Sequence, residues 1–557
     1  MNNQNIHIQK IENANMKKNA MQMVYSCGQN IIKTNVLTAT IPLKLAQLHE
    51  NCSYHIHDLE FYKSTYNCLG LSISDMVGGK NIGFAHMLRQ LFRGIVDLTN
   101  RQSGGIGFIN FDEDASHFVG EETREEMVVL LNEFFNDLNS LSRKGCEAPY
   151  VTLNIGLSTS EKGRKVSSAI LDAFIEGDAE RKPFIFPNLV FKLKKGVNMV
   201  IDDCNYDLLQ KAYRVTAKHM IPTYFNTDSS YNKTFDAKSL GIMGCRTRVA
   251  SNVSGDKDGA LNRGNIASLT INLPQIAYKS HKNLTSFYLE LDELLDSAKE
   301  LLLHRYTTLA ESATLQWLAE KKYYLGHCKF LDTLDNTDML RNGTLAIGFI
   351  GLWDAVGIIN DGINGIEDIE KHYEEGLEIV KHIREYTDKL TKETGLNFSV
   401  LATAAEGTTG RFAKYDQTHM GEGHIECQKG FYSNSFHVPV ELSIPYWKKC
   451  EIEGPFHALC NGGAITYMEF SEMPYHNVLA VQMAIEKAYK EDCGYIGINF
   501  PLDICSCCGY RGRLTDICPK CSSKKIDRYR RVSGYLAEEK TFADGKKAEV
   551  QRRRSHF

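Results

Sequence analysis

Near its C-terminus the chain reads Arg530-Arg531-Val532-Ser533-Gly534-Tyr535-Leu536, RRVSGYL. A lone glycine stands there between β-formers and an aromatic, shortly after the cysteine-rich stretch CSCCGYRGRLTDICPKC (505–521). Glycine is the default residue where a turn needs positive φ. By itself, therefore, the heptapeptide predicts a turn glycine.

The cysteine-rich stretch is more specific. Cys505-x-x-Cys508 and Cys518-x-x-Cys521 are two knuckles joined by a short Gly-containing loop. That spacing can bring four thiolates to the corners of a tetrahedron, the preferred geometry of structural zinc. Four protein ligands leave no open position, so the site reads as structural. Unconnected buried cysteines are the plainer alternative, and Cys507 is a surplus thiol inside the first knuckle. Composition turns to short Cys-, Lys- and Arg-rich sequence after Pro501, which places a boundary there and divides the chain into 1–500, 501–525 and 526–557.

The chain as a whole, 557 residues, carries a soluble globular composition, 43% hydrophobic and 24% charged. A net charge of −4 gives no electrostatic footprint for nucleic acid or anionic lipid. No stretch reaches transmembrane length and no apolar leader opens the chain, so a cytoplasmic protein is expected. Sixteen cysteines in such a chain point to reduced thiols serving as metal ligands or catalysts. Helical stripes run through 284–304 and 477–490, and strands are predicted at 150–157, 183–193, 267–273, 343–352 and 495–502. Strands alternating with helices over this length indicate a large α/β architecture.

Three further segments carry possible chemistry. In GIMGCRTRV (241–249), Cys245 sits in a Gly-flanked turn beside Arg246 and Arg248, where a thiol could have a lowered pKa or be a small buried hydrophobe. Cys68, in STYNCLG, is equally ambiguous. SYHIHDLEFY (53–62) offers His55, His57 and Asp58 to a metal or, more ordinarily, to a polar network. Neither a P-loop nor a GxGxxG element occurs, so any nucleotide is held by other means.

Taken together, these segments resemble the anaerobic (class III) ribonucleoside-triphosphate reductases. RVSGYL followed by FADGKKAEVQRRRSH, after the double knuckle, is similar to their C-terminus. ENANM (12–16), YHIHDLEFY (54–62) leading to Asn67-Cys68, MGCRT (243–247), RGNIASLTINLP (263–274), ATAAEGTTGRF (402–412) and YSNSFHVP (432–439) follow in the family's order. The resemblance implies a glycyl radical enzyme on a ten-stranded α/β barrel of two antiparallel five-stranded halves, with a C-terminal zinc ribbon and radical loop. Carried over by position, Gly534 stores the radical, Cys245 becomes the transient thiyl, Cys68 is the second thiol and Asn265 the active-site asparagine. His55, Asn67, Thr247 and Asn434 are expected to line the substrate site, and Cys505, Cys508, Cys518 and Cys521 to bind zinc.

The implied partners are ribonucleoside triphosphates, dNTP effectors, a radical-SAM activase using a 4Fe-4S cluster and S-adenosylmethionine, and a second copy in a homodimer. Membrane and nucleic acid are not expected partners. Within the family, a second cysteine paired with an active-site asparagine goes with oxidation of formate rather than a dithiol, so Cys68 with Asn265 favours formate. Family members often begin with an ATP-cone; here ENANM arrives at residue 12, and no such domain is expected. Two rival readings remain. A pyruvate formate-lyase-like enzyme shares RVSGY but uses adjacent mid-chain cysteines, whereas the adjacent pair Cys507-Cys508 lies in the ribbon. A non-catalytic zinc-ribbon module leaves MGCRT and TINLP unexplained.

Overall fold

The computed structural model describes residues 15–78, 82–255, 257–315, 318, 336–420 and 425–557; Glu12, Asn13 and Ala14 of ENANM lie outside the described residues. The predicted strands form with shifted ends, as Val151–Ile155, Asn188–Leu193, Asn265–Asn272, Thr344–Ile350 and Tyr495–Asn499. Every residue in these five is buried. Their apolar residues make them legible in sequence, but polar positions such as Thr152, Asn154, Lys192 and Thr270 are buried among them. The helix Leu284–Ala310 buries the predicted stripe from Phe287 to Leu302. The run 495–502 is overestimated: the strand stops at Asn499, and Leu502–Cys505 begins a different sheet.

Leu69–Leu71, Ile106–Phe108, Val151–Ile155, Asn188–Leu193 and Thr223–Asn226 form one parallel set. Thr223–Asn226 pairs antiparallel with Tyr495–Asn499, which runs parallel to Thr466–Glu469. A second sheet holds Asn265–Asn272, Thr344–Ile350 and Asn397–Ala402 in parallel, with Tyr54–Ile56 antiparallel at its edge. Single bridges, Leu69 with Gly264 and Leu401 with Gly463, join the edges of the two sheets. Without Tyr54–Ile56, the strands fall into two parallel sets of five that oppose one another. The joins are bridges and not ladders, so the hydrogen bonds trace two mixed sheets rather than one continuous barrel wall.

Beyond Pro501, Arg511–Gly512, Leu502–Cys505, Ile526–Arg531 and Leu536–Glu538 make one antiparallel sheet in that order. The segments 501–525 and 526–557 therefore share a sheet. The last helix, Asp544–Arg552, buries Lys546 and Glu549 against the larger body.

Candidate active site: two hairpin tips at a polar cavity

Cys245 lies at the tip of a hairpin formed by Ile242–Met243 and Thr247–Arg248. Polar side chains on the surrounding strands grip this tip. Thr152 Oγ1 and Asn188 Nδ2 donate to the Gly244 carbonyl at 2.9 and 3.0 Å, and Asn154 exchanges two hydrogen bonds with the Ile242 backbone. Such groups are tolerated inside because each has a partner. Arg246 ties the tip to the opposing strand set, donating to the carbonyls of Ala402 and Thr403 and to the Tyr467 hydroxyl. Arg248 is spent similarly on the Cys460 carbonyl and Asn232.

A second tip meets the first. Arg531 pairs with Leu536, and Val532 N donates to Tyr535 O at 3.0 Å, which leaves Ser533 and Gly534 at the turn. A Cβ built on Gly534 would fall 1.7 Å from the Cys245 carbonyl oxygen and 2.7 Å from its Cα. No side chain fits there. Gly534 sits at the expected turn but does not adopt positive φ: close approach, not a left-handed backbone, requires glycine. The tip is held from behind by the buried Arg531, whose Nη1 donates to Gly534 O at 3.1 Å and whose other donors reach the carbonyls of Ile498 and Met220. Tyr535 packs against Tyr150 and Phe186 and donates to Glu406 Oε2 at 2.7 Å.

Both thiols line a cavity of about 240 Å³ with Asn67, Thr247, Asn265 and Glu406 in its wall. Burial pushes the Cys245 thiol up, outweighing the Arg246 guanidinium, so the lowered pKa considered for it is corrected. Burial likewise pushes Cys68 up to about 12. Both sulfurs therefore carry hydrogen at neutral pH, the state needed for hydrogen-atom chemistry and the reverse of a thiolate nucleophile. Cys68 donates to Asn67 Oδ1 at 2.7 Å and accepts from Gly105 N at 3.3 Å. Asn265 turns its amide nitrogen to the Thr344 hydroxyl and carbonyl at 3.1 and 3.2 Å.

Two expected residues fall elsewhere. His55 is buried in the strand Tyr54–Ile56 and outside the cavity lining, where Arg411 Nη1 approaches its Nδ1 at 2.6 Å; His57 and Asp58, in the turn that follows the strand, line the cavity instead. Asn434 lies in a separate small cavity under the last helix and donates to Glu549 Oε2 at 3.1 Å. Glu406, Tyr150 and Tyr535 were not foreseen. Their only signal was the ATAAEGTTGRF segment and the aromatic after Gly534, because their meeting depends on strands far apart in the chain.

The sulfurs of Cys505, Cys508, Cys518 and Cys521 all lie within 4.8 Å of one another, with Cys505–Cys521 at 3.5 Å and Cys508–Cys518 at 3.6 Å. Among the described residues this is the group of His, Cys and acidic side chains that could hold a metal ion; His55, His57 and Asp58 do not form one. Cys507 is exposed and outside the cluster.

The sequence model of the anaerobic ribonucleoside-triphosphate reductases matches residues 12–556. The chain belongs to this family. Curated relatives of that name include the Haemophilus influenzae protein, 30% identical over 95% of this chain and 80% of the relative, and the phage T4 protein, 26% identical over 98% and 96%. Among solved structures, an anaerobic ribonucleotide reductase superposes with a TM-score of 0.75 at 18% identity, covering 96% of this chain and 90% of that one. The glycerol dehydratase of Clostridium butyricum shares the fold more distantly, with a TM-score of 0.54 at 13% identity, covering 96% and 73%. As a member of the anaerobic ribonucleoside-triphosphate reductases the chain is an oxidoreductase, and the rival zinc-module reading falls. Among the described residues no helix of the reductase is long and apolar enough to cross a membrane.

Proposed function

We propose that the chain reduces ribonucleoside triphosphates to 2′-deoxyribonucleoside triphosphates, with Gly534 as radical store, Cys245 as transient thiyl and Cys68 as second hydrogen donor. The contact of the Gly534 backbone with Cys245 carries this reading. A glycine Cα radical is stabilised by its flanking amides, and its C–H bond is comparable in strength to a cysteine S–H. Hydrogen can therefore move from Cys245 Sγ to Gly534 without a steep climb, provided the two are held together and water is excluded.

The Cys245 thiyl then takes the 3′-hydrogen of the ribose. The neighbouring radical labilises the C2′–O bond, and the 2′-hydroxyl leaves with a proton as water. Cys68 delivers a hydrogen to C2′, leaving a 3′-ketone and its own thiyl. That thiyl takes the hydrogen of formate, and the carbon dioxide radical anion so formed passes its electron to the ketone as a proton arrives. Return of the 3′-hydrogen from Cys245 to C3′ regenerates the Cys245 thiyl. The net step with formate balances: NTP, formate and a proton give dNTP, carbon dioxide and water. Formate supplies both electrons. Asn265 and Asn67 stand where their amides can orient substrate and reductant. The four clustered thiolates suit Zn²⁺, which would cross-link the sheet that bears Gly534. A cytoplasmic homodimer, dNTP effectors and a radical-SAM activase complete the proposal. A solved relative from Thermotoga maritima is described in complex with dATP and CTP.

The test is anaerobic activation with a cognate activase, S-adenosylmethionine and reductant, followed by EPR and a CTP-reduction assay with ¹³C-formate. The expected result is a glycyl doublet and one labelled carbon dioxide per dCTP. A doublet without dCTP overturns the reductase reading, and dCTP formed without formate oxidation overturns the choice of reductant.

A further inference from the structure

Asp58 is one of the described non-glycine residues with a left-handed backbone, at φ 51° and ψ 44°. Aspartate tolerates that conformation better than most residues, but it remains a cost the surroundings must offset. The conformation turns the carboxylate into the cavity, where it accepts hydrogen bonds from Asn67 Nδ2 and, at 3.1 Å, from Ser103 Oγ. Asn67 then presents Oδ1 to the Cys68 thiol at 2.7 Å.

The order of these contacts is dictated by chemistry. An ionised carboxylate only accepts hydrogen bonds, so the amide beside it must show its NH₂. The opposite amide face must then be the carbonyl oxygen, which only a donor satisfies. Cys68 meets that demand as S–H and not as thiolate. Its sulfur is fixed from other sides by Gly105 N at 3.3 Å and by the Thr247 hydroxyl at 3.9 Å. With the amide flipped, two acceptors would face one another across the Asp58–Asn67 contact.

We propose that Asp58 is a positioning residue for the second thiol. Acting through Asn67, it locks the amide so that Cys68 rests as a hydrogen-loaded thiol at a fixed place in the cavity wall. Its importance for turnover rests on the reading of Cys68 as hydrogen donor; the hydrogen-bond relay does not.

Asp58→Asn keeps the side-chain shape and the tolerance for left-handed backbone while removing the acceptor-only partner, which frees Asn67 to flip. Two readouts on the full chain test the idea. The first is the infrared S–H stretch of Cys68 in the resting protein, assigned by difference against Cys68→Ser. It is expected to lie at lowered frequency in the parent and to rise in Asp58→Asn; an unmoved band overturns the relay. The second is activity after anaerobic activation, where kcat is expected to fall roughly tenfold, about what one charge-assisted hydrogen bond controls. KM for the nucleoside triphosphate should stay within about twofold and the glycyl doublet should keep its yield. Unchanged kcat, or a lost doublet, overturns the positioning role. Full turnover by Cys68→Ser would instead overturn the donor reading, leaving the infrared result to judge the relay alone.

Discussion

At the scale of single residues, Gly534 shows how a plain preference becomes a requirement. Gly534→Ala must displace its Cβ from a point 1.7 Å from the Cys245 carbonyl, so the hairpin tip shifts. We expect this variant to keep its metal and most of its fold, to lose about 1–3 kcal/mol as overpacked sites do, and to give no glycyl doublet. A doublet in the alanine protein contradicts the assignment. The thiols make a second prediction. Burial holds Cys68 at about 12, so its thiolate fraction rises only as pH approaches that value. Iodoacetamide at pH 9 should label Cys68 readily in the denatured chain, whose thiols titrate near 8.5, and only slowly in the native protein. Equal rates would show that the site is open.

At the scale of elements, the cysteine ribbon and the Gly534 hairpin form one sheet. Leu502–Cys505 pairs with Ile526–Arg531, the strand that leads into Gly534. Removing a ligand with Cys508→Ser is therefore expected to release the metal and reduce the doublet yield together, measured by metal analysis and EPR on one preparation. Loss of metal with an undiminished doublet would separate the two. The last helix clamps the same region. Burial alone would raise Glu549, but the Lys546 ammonium and the Arg553 guanidinium hold it down at about 2. The stability it contributes is complete above the ordinary glutamate value of about 4.3 and is lost as pH falls through about 2. At neutral pH, Glu549→Gln takes the carboxylate partner from the buried Lys546 ammonium, leaving Arg553 with Glu469 and the Arg531 carbonyl, a change worth about 3–5 kcal/mol where a buried pair is broken. We expect faster proteolysis of residues beyond 540 in that variant, and no change in rate would contradict the clamp.

At the scale of the whole molecule, a hairpin from the middle of the chain and one from near its C-terminus meet inside the α/β body. Air admitted after activation is expected to cut the chain at Gly534 and release a fragment of the residues that follow it, seen by mass spectrometry; the unactivated protein should stay intact. Cleavage at another residue would move the radical elsewhere. Much of this was legible in sequence because it is local: the longer strands are rich in apolar residues, the long helix carries its stripe, and two C-x-x-C knuckles bring four cysteines within a few residues. Three-residue strands such as Leu69–Leu71 and Ile106–Phe108 were not, since so few residues carry no periodicity. His55 and Asn434 stand outside this cavity for a related reason, as the turn after Tyr54–Ile56 and the path of the last helix decide which side chain of a polar run enters it. By itself, then, the sequence determined the α/β class and the family resemblance, and it singled out the cysteine cluster, Cys68, Cys245 and Gly534 as candidates. Only the tertiary structure decided that contact and not a left-handed backbone requires glycine at the Gly534 turn, that the thiols stay protonated, and that Asp58 stands behind Cys68. Those properties arise from burial and from approach between distant segments, and neither quantity exists until the chain has folded.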